Sequence, residues 1–214
     1  MEYASSDLSV VRSIRQRVLL NAWLRALRQG TPLPVLIDFD PEAGLDEIAD
    51  MMSFDVQGDG EAARFLITQQ GARLSTTYGN EHIAPEHRTN RYLDDAIRPD
   101  QYARVVDCYR ACVASKRPTY TITTIMDPGG KEVSYERLLL PFGNGGAVEH
   151  IVGSYKTISI DGGFQVSNLM GVRPTAAPMR LVNAVIDRDV PRRPAGVRAS
   201  DDVVEVDQPF TSWA

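Results

Sequence analysis

Cysteine is almost absent: Cys108 and Cys112 are the whole complement. A disulfide framework needs more thiols and an oxidising compartment. These two lie four apart in a helical-looking stretch and read as small packed side chains on one helix face. Histidine is nearly as scarce, and the spacing of His82, His87 and His150 suggests no metal site. No apolar run reaches the roughly 18 residues of a membrane span. The start, MEYASSDLSVVRSIR, lacks the basic opening and apolar core of a secretory signal. Strong positive charge is missing too: the net charge is -5, which gives no reason to expect nucleic acid. P-loop, kinase and cyclase signatures and Gly-x-Ser-x-Gly are absent; Gly129-Gly130 and Gly143–Gly146 read as turns, not phosphate cradles. The expectation is a soluble cytoplasmic protein with no cofactor and no metal, and not an enzyme.

What is present is a run of strand-like sequence from Thr119 to Lys156. Thr119–Met126 is rich in β-branched residues. Asp127-Pro128-Gly129-Gly130 offers hairpin chemistry, with fixed φ at Pro and positive φ at Gly. Glu132–Phe142 follows, then the turn Gly143-Asn144-Gly145-Gly146, then Val148–Lys156. Three antiparallel strands with an apolar face must bury it against a partner, and the upstream chain supplies one.

Ser6-Asp7 can cap a helix that Gly30 and Pro32 end, so 8–29 is expected to be one long helix. Val11, Ile14 and Val18 form one stripe on it; Leu20, Trp23, Leu24 and Leu27 form a stronger one. Two readings stay open: a helix packed on its own domain, or a helix that partly pairs with a second copy through Val11, Ile14 and Val18. After the Pro-bearing segment 31–50, Met51–Gln57 and Ala62–Gln69 read as strands around Gly58-Asp59-Gly60. Gly71–Tyr78 is expected to be a short helix, 80–100 short helices and loop, and Pro99–Lys116 an amphipathic helix. Two hairpins separated by helices argue for an α+β domain with one five-stranded antiparallel sheet. Beyond Ile160 the prolines and separated basic and acidic blocks read as a mostly disordered tail, 161–214. Within it, Met179–Val190 has helical period and Pro209–Ala214 ends in Phe210 and Trp213; one of these two pieces is expected to dock.

The order strand-strand-helices-strand-strand-strand, with several local segments, resembles the single-domain PAS proteins of alphaproteobacteria grouped as PAS_5. The segments are Trp23 with Arg25, Pro34 leading to Asp40-Pro41, Phe54-Asp55, Gly71–Leu74, Tyr78-Gly79-Asn80-Glu81 and Lys116-Arg117-Pro118. Glu136-Arg137-Leu138-Leu139-Leu140-Pro141 with Ile151-Val152-Gly153 is the most specific. Ala84 departs from the pattern, where glycine is expected. The resemblance covers about residues 18–158. It divides the chain into a helix at 1–30, an extended link at 31–50, a PAS domain at 51–160 with its helices on one sheet face, and the tail.

The resemblance implies a sensory or interaction module with a pocket between sheet and helices. A flavin-binding PAS domain needs an Asn-Cys-Arg-Phe-type cysteine, which is absent; a haem-binding one usually takes a histidine from the late helix, and 99–116 has none. Tyr78, Tyr120, Tyr135, Arg137 and His150 remain as pocket candidates. Along 132–142, alternation puts Val133, Tyr135, Arg137 and Leu139 on one face and Ser134, Glu136, Leu138 and Leu140 on the other. Each face carries one charge, so the inward face stays open. The expected partners are a small molecule, a second copy or a signalling protein. The alternatives are an adaptor with a filled core, and an enzyme using His82, Tyr78 and Asp55 as acid and base.

Overall fold

The computed structural model describes residues 3–41, 45–127, 129–159, 162–166, 169 and 179–187. One eight-stranded sheet runs through it, with the order β1-β8-β5-β6-β7-β2-β3-β4. The strands are β1 (Ala4–Ser6), β2 (Met51–Gln57), β3 (Arg64–Gln70), β4 (Arg91–Tyr92), β5 (Thr119–Met126), β6 (Glu132–Phe142), β7 (His150–Ile158) and β8 (Met179–Ile186). The five strands expected from the sequence are contiguous in this sheet and antiparallel to their neighbours. The sheet is wider than expected because three further strands pair at its ends. β8 lies antiparallel on β5, β1 lies parallel on β8, and β4 lies antiparallel on β3.

β8 corrects the helical reading of 179–190. Val182, Ala184 and Ile186 share one face, and Ala184 and Ile186 are buried there. That alternation is a strand period in a β-branched stretch. The other docking candidate, 209–214, lies outside the described residues, as does most of 161–214.

Helices cover both faces of the sheet, not one. α1 (Ile14–Ala26) crosses one face, where Leu19, Leu20 and Trp23 pack with Tyr120, Ile122, Leu138, Leu140, Phe142 and Val152. Trp23 Nε1–H donates to the Pro141 carbonyl at 2.7 Å, which satisfies the indole in the core. α1 is also shorter than the expected 8–29. The side chain of Ser13 caps it by accepting from Gln16 N, and Leu8–Val10 is a separate 3-10 turn capped by Asp7. Capping at Ser13 takes Val11 off the helix and into the core, where it is 0% exposed; Ile14 and Val18 remain 64% and 44% exposed.

α2 (Leu45–Ile48) meets the sheet through Glu47 at Ser154, the residue that Gln16 of α1 also contacts, whereas the opposite face carries α3 (Ala72–Tyr78), α4 (Leu93–Ala96) and α5 (Pro99–Ser115). The core of that face joins Phe54, Phe65, Ile67, Leu74, Cys108, Tyr109, Cys112, Val133, Tyr135, Leu139, Ile151 and Tyr155. α3 ends at Gly79 in the left-handed region, φ 70°, as the Tyr-Gly pair suggests. With both faces covered, the strand read as half-inward is inward on both. Val133, Tyr135 and Leu139 join the α5 side, and Leu138, Leu140 and Phe142 the α1 side.

Candidate functional site

The site forms where α5 and α3 lie over β6 and β7. Arg137 stands opposite Tyr155 of β7 and Thr121 of β5 in the sheet register. Its odd position on β6 turns it to the helix side, and it is 4% exposed. Burying a charge is costly unless a counter-charge or hydrogen bonds compensate. Arg137 has no carboxylate partner among the described residues. Its Nη1 donates to Cys108 Sγ at 3.3 Å, and its Nε lies buried without an acceptor. Three rings supply the rest of its surroundings. The guanidinium carbon is 5.6 Å from the Tyr135 centroid and 5.8 Å from those of Tyr109 and Tyr155. These are cation–π distances. Burial works against the guanidinium charge, Cys108 and the neighbouring tyrosines push its pKa well above the ordinary value, and a guanidinium keeps its proton in proteins.

The tyrosines are linked in pairs. The Tyr109 and Tyr155 hydroxyls are 2.7 Å apart, and those of Tyr78 and Tyr135 are 3.0 Å apart. Burial pushes Tyr109, Tyr135 and Tyr155 above the ordinary phenol range, so all three are neutral near pH 7. Within each pair one hydroxyl donates and the other accepts, and the accepting hydroxyl keeps its own proton. Each pair therefore keeps one unshared O–H proton and unshared oxygen lone pairs as well. Beside these pairs, the Tyr3 hydroxyl is buried, and that burial first, then its neighbour Cys108, pushes its pKa up.

Tyr135 and Tyr155 also line a cleft of about 180 Å³. Leu74 and Thr77 of α3 form one wall, and Asp50, Arg73 and Lys156 bring charge to it. Those charges are mutually paired. Asp50 accepts from Arg73 and from Lys156 at 2.8 Å each, and Lys156 reaches Glu47 at 3.1 Å.

Of the residues singled out from sequence, the fold brings Tyr78, Tyr135 and Arg137 together. Tyr120 belongs to the other face: its hydroxyl accepts from Arg12 N at 3.2 Å beneath α1, because Tyr120 and Arg137 differ in strand parity. His150 is half-exposed and its Nδ1 lies 2.7 Å from Asp55 Oδ1, its cross-strand neighbour, outside the cleft. His82 is exposed, and Asp55 is engaged by His150, so the set His82, Tyr78 and Asp55 is not assembled. Tyr109, Tyr155 and Cys108 are the members that sequence reasoning missed. Tyr109 looked like one more apolar residue on α5. Tyr155 carried a usable signal, since it shares strand parity with Gly153 and Ile151. Among the described residues there is no cluster suited to a metal ion, and no helix is long and apolar enough to cross a membrane.

No family model matches the chain, and no curated protein matches it. One solved structure, of an RNA-binding light-oxygen-voltage receptor, aligns with 51% of this chain at 18% identity and a TM-score of 0.32. The aligned part spans only 30% of that receptor. A likeness of this size carries no argument about the chain, whose mixed α+β architecture rests on the topology described above.

Proposed function

We propose that the chain is a non-enzymatic sensory module of the PAS type, which takes a small molecule in the cleft between its sheet and α3. One observation carries this reading: the cleft is lined by Tyr135 and Tyr155, the same residues that pack around a buried arginine with no carboxylate partner. A purely structural core gains little from an uncompensated charge at that place. A pocket with an apolar wall and a few convergent polar groups is the usual form of a ligand site. Native mass spectrometry of the full chain as isolated from cells tests it. A stoichiometric adduct that disappears on denaturation is expected. A clean mass, together with no thermal shift from any small molecule, overturns it in favour of an adaptor with a filled core.

Self-association of the module would use α1, whose Ile14 and Val18 face solvent. Charged residues at both positions, as in Ile14→Glu with Val18→Glu, should halve the mass seen in light scattering. An unchanged mass removes this part of the reading.

A further inference from the structure

We propose that a second pocket, between α3, α4 and the β3–β4 edge of the sheet, binds a phosphoryl group, as the free ion or a monoester. It shares no lining residue with the cleft and touches it through Tyr78, whose hydroxyl is 3.0 Å from that of Tyr135. The polar part of its wall is Gln70, Tyr78, Asn80, Arg88 and Arg91; Ile67 and Leu93 belong to the apolar part. Among the described residues, none that lines it is acidic.

The two arginines bring a charge that nothing in the lining balances. Arg88 ends the 3-10 turn Pro85–His87, Arg91 opens β4, and both are half-buried. Backbone carbonyls hold them. Arg88 donates through Nε to the Ile83 carbonyl at 2.7 Å and through Nη2 to the Glu81 carbonyl at 3.2 Å. Arg91 Nη2 donates to the Asp95 carbonyl at 2.8 Å. A neutral carbonyl orients a guanidinium without cancelling its charge, and each guanidinium has more N–H donors than these bonds use. The nearby acids lie elsewhere: Asp94 and Asp95 of α4 pair with Arg64, and Glu81 and Glu86 are exposed. Gln70 adds a donor of another kind. Its Nε2 is buried with no hydrogen-bond partner among the described residues, which costs free energy until an acceptor arrives.

Size and charge select the ligand. The enclosed space is about 10 Å³, the room of roughly one water, so it admits one oxygen and leaves the rest of the group at the mouth. A phosphoryl group carries a charge of about −1.5 to −2 near neutral pH and accepts bidentate bonds from arginine. It balances two guanidiniums where a carboxylate balances one.

The test follows the Gln70 side-chain amide and the Arg88 and Arg91 Nε–H resonances by NMR in the full chain. The probes are inorganic phosphate, methyl phosphate, acetate and sodium chloride at matched ionic strength. Phosphate should move all three resonances along a saturable curve, and acetate should bind at least about tenfold more weakly. Arg88→Gln and Arg91→Gln should each weaken phosphate at least about tenfold, and Gln70→Met several-fold. Methyl phosphate that binds as tightly as phosphate shows that a monoester is accepted, and its exclusion shows that the free ion is the ligand; both outcomes uphold the site. Acetate binding as tightly as phosphate overturns the phosphoryl assignment. Shifts that fail to saturate, that sodium chloride reproduces, or that fall on Leu74 and Tyr155 of the cleft instead overturn the site. These comparisons are made on the wild-type chain, so a variant that misfolds does not rescue the proposal.

Discussion

Gly153 and Tyr155 form one unit on β7. They lie two apart on the same strand face, and the Tyr155 ring folds back over the glycine. A Cβ at position 153 would stand 2.5 Å from the Tyr155 hydroxyl. The absence of a side chain at Gly153 is what lets that hydroxyl reach Tyr109 at 2.7 Å. The glycine is in extended backbone, so its role is space, not conformational freedom.

Gly153→Ala should therefore displace Tyr155 and break the Tyr109–Tyr155 contact. Overpacking a tight core costs about 1–3 kcal/mol. Urea denaturation should show a loss in that range, and Gly153→Ala combined with Tyr155→Phe should recover part of it. Wild-type stability for Gly153→Ala would contradict the position given to Tyr155.

Trp23 anchors α1 to the sheet through a hydrogen bond as well as its ring. Trp23→Phe removes the donor to the Pro141 carbonyl and leaves that acceptor buried. A loss of about 1–3 kcal/mol is expected from the orphaned group, with a further share from lost volume. Thermal melting of the variant, read by circular dichroism, measures it.

β8 closes the edge of β5. Residues Thr119 to Thr124 pair with it along their length, and Ile186 N–H donates to the Pro118 carbonyl at 2.8 Å. A chain ending at residue 178 should lose the protection of the outward β5 amides, with exchange rates rising by at least about tenfold. It should also self-associate, because a bare edge strand is a template for pairing. Unchanged exchange in β5 would mean that β8 contributes no closure.

Asp127 ties two loops together. Its two carboxylate oxygens accept from Gln165 N at 2.9 Å and Lys131 N at 2.7 Å. These bonds, Gln165 first, hold its pKa below the ordinary 3.8. The folded state thus favours the ionised form. Its stabilisation is fully present above 3.8 and is lost as pH falls through the lower folded value. The stability gap between wild type and Asp127→Asn should be constant at neutral pH and narrow below pH 3.8. A gap that widens on acidification would refute this.

The phenols around Arg137 should resist ionisation. Burial raises Tyr109, Tyr135 and Tyr155 above the ordinary value of 10.0. In an alkaline spectrophotometric titration, these three should ionise only with the unfolding of the chain. Reversible ionisation of all eight tyrosines in the folded protein would show that the cluster is open to water.

Much of the architecture is written locally in the chain. The β-branched run at 119–126, the turn glycines at 129–130 and 143–146 and the apolar spacing of 99–115 specify their elements, because period and turn chemistry act over neighbouring residues. Residue type and the resemblance to a PAS pocket also pointed to Tyr78, Tyr135 and Arg137, together with Tyr120 and His150. Tertiary structure decided what covers each face. Alternation along β6 could not choose an inward side, since α1 buries one face and α5 the other. It also decided that 179–186 is a strand, because its partner β5 lies some 60 residues away in the chain. The same long-range packing separates Tyr120 and His150 from the cleft, and brings Tyr109 and Tyr155 to Arg137. Pairing across a sheet and packing across a helix layer join residues far apart in sequence, and no local period encodes which of them will meet.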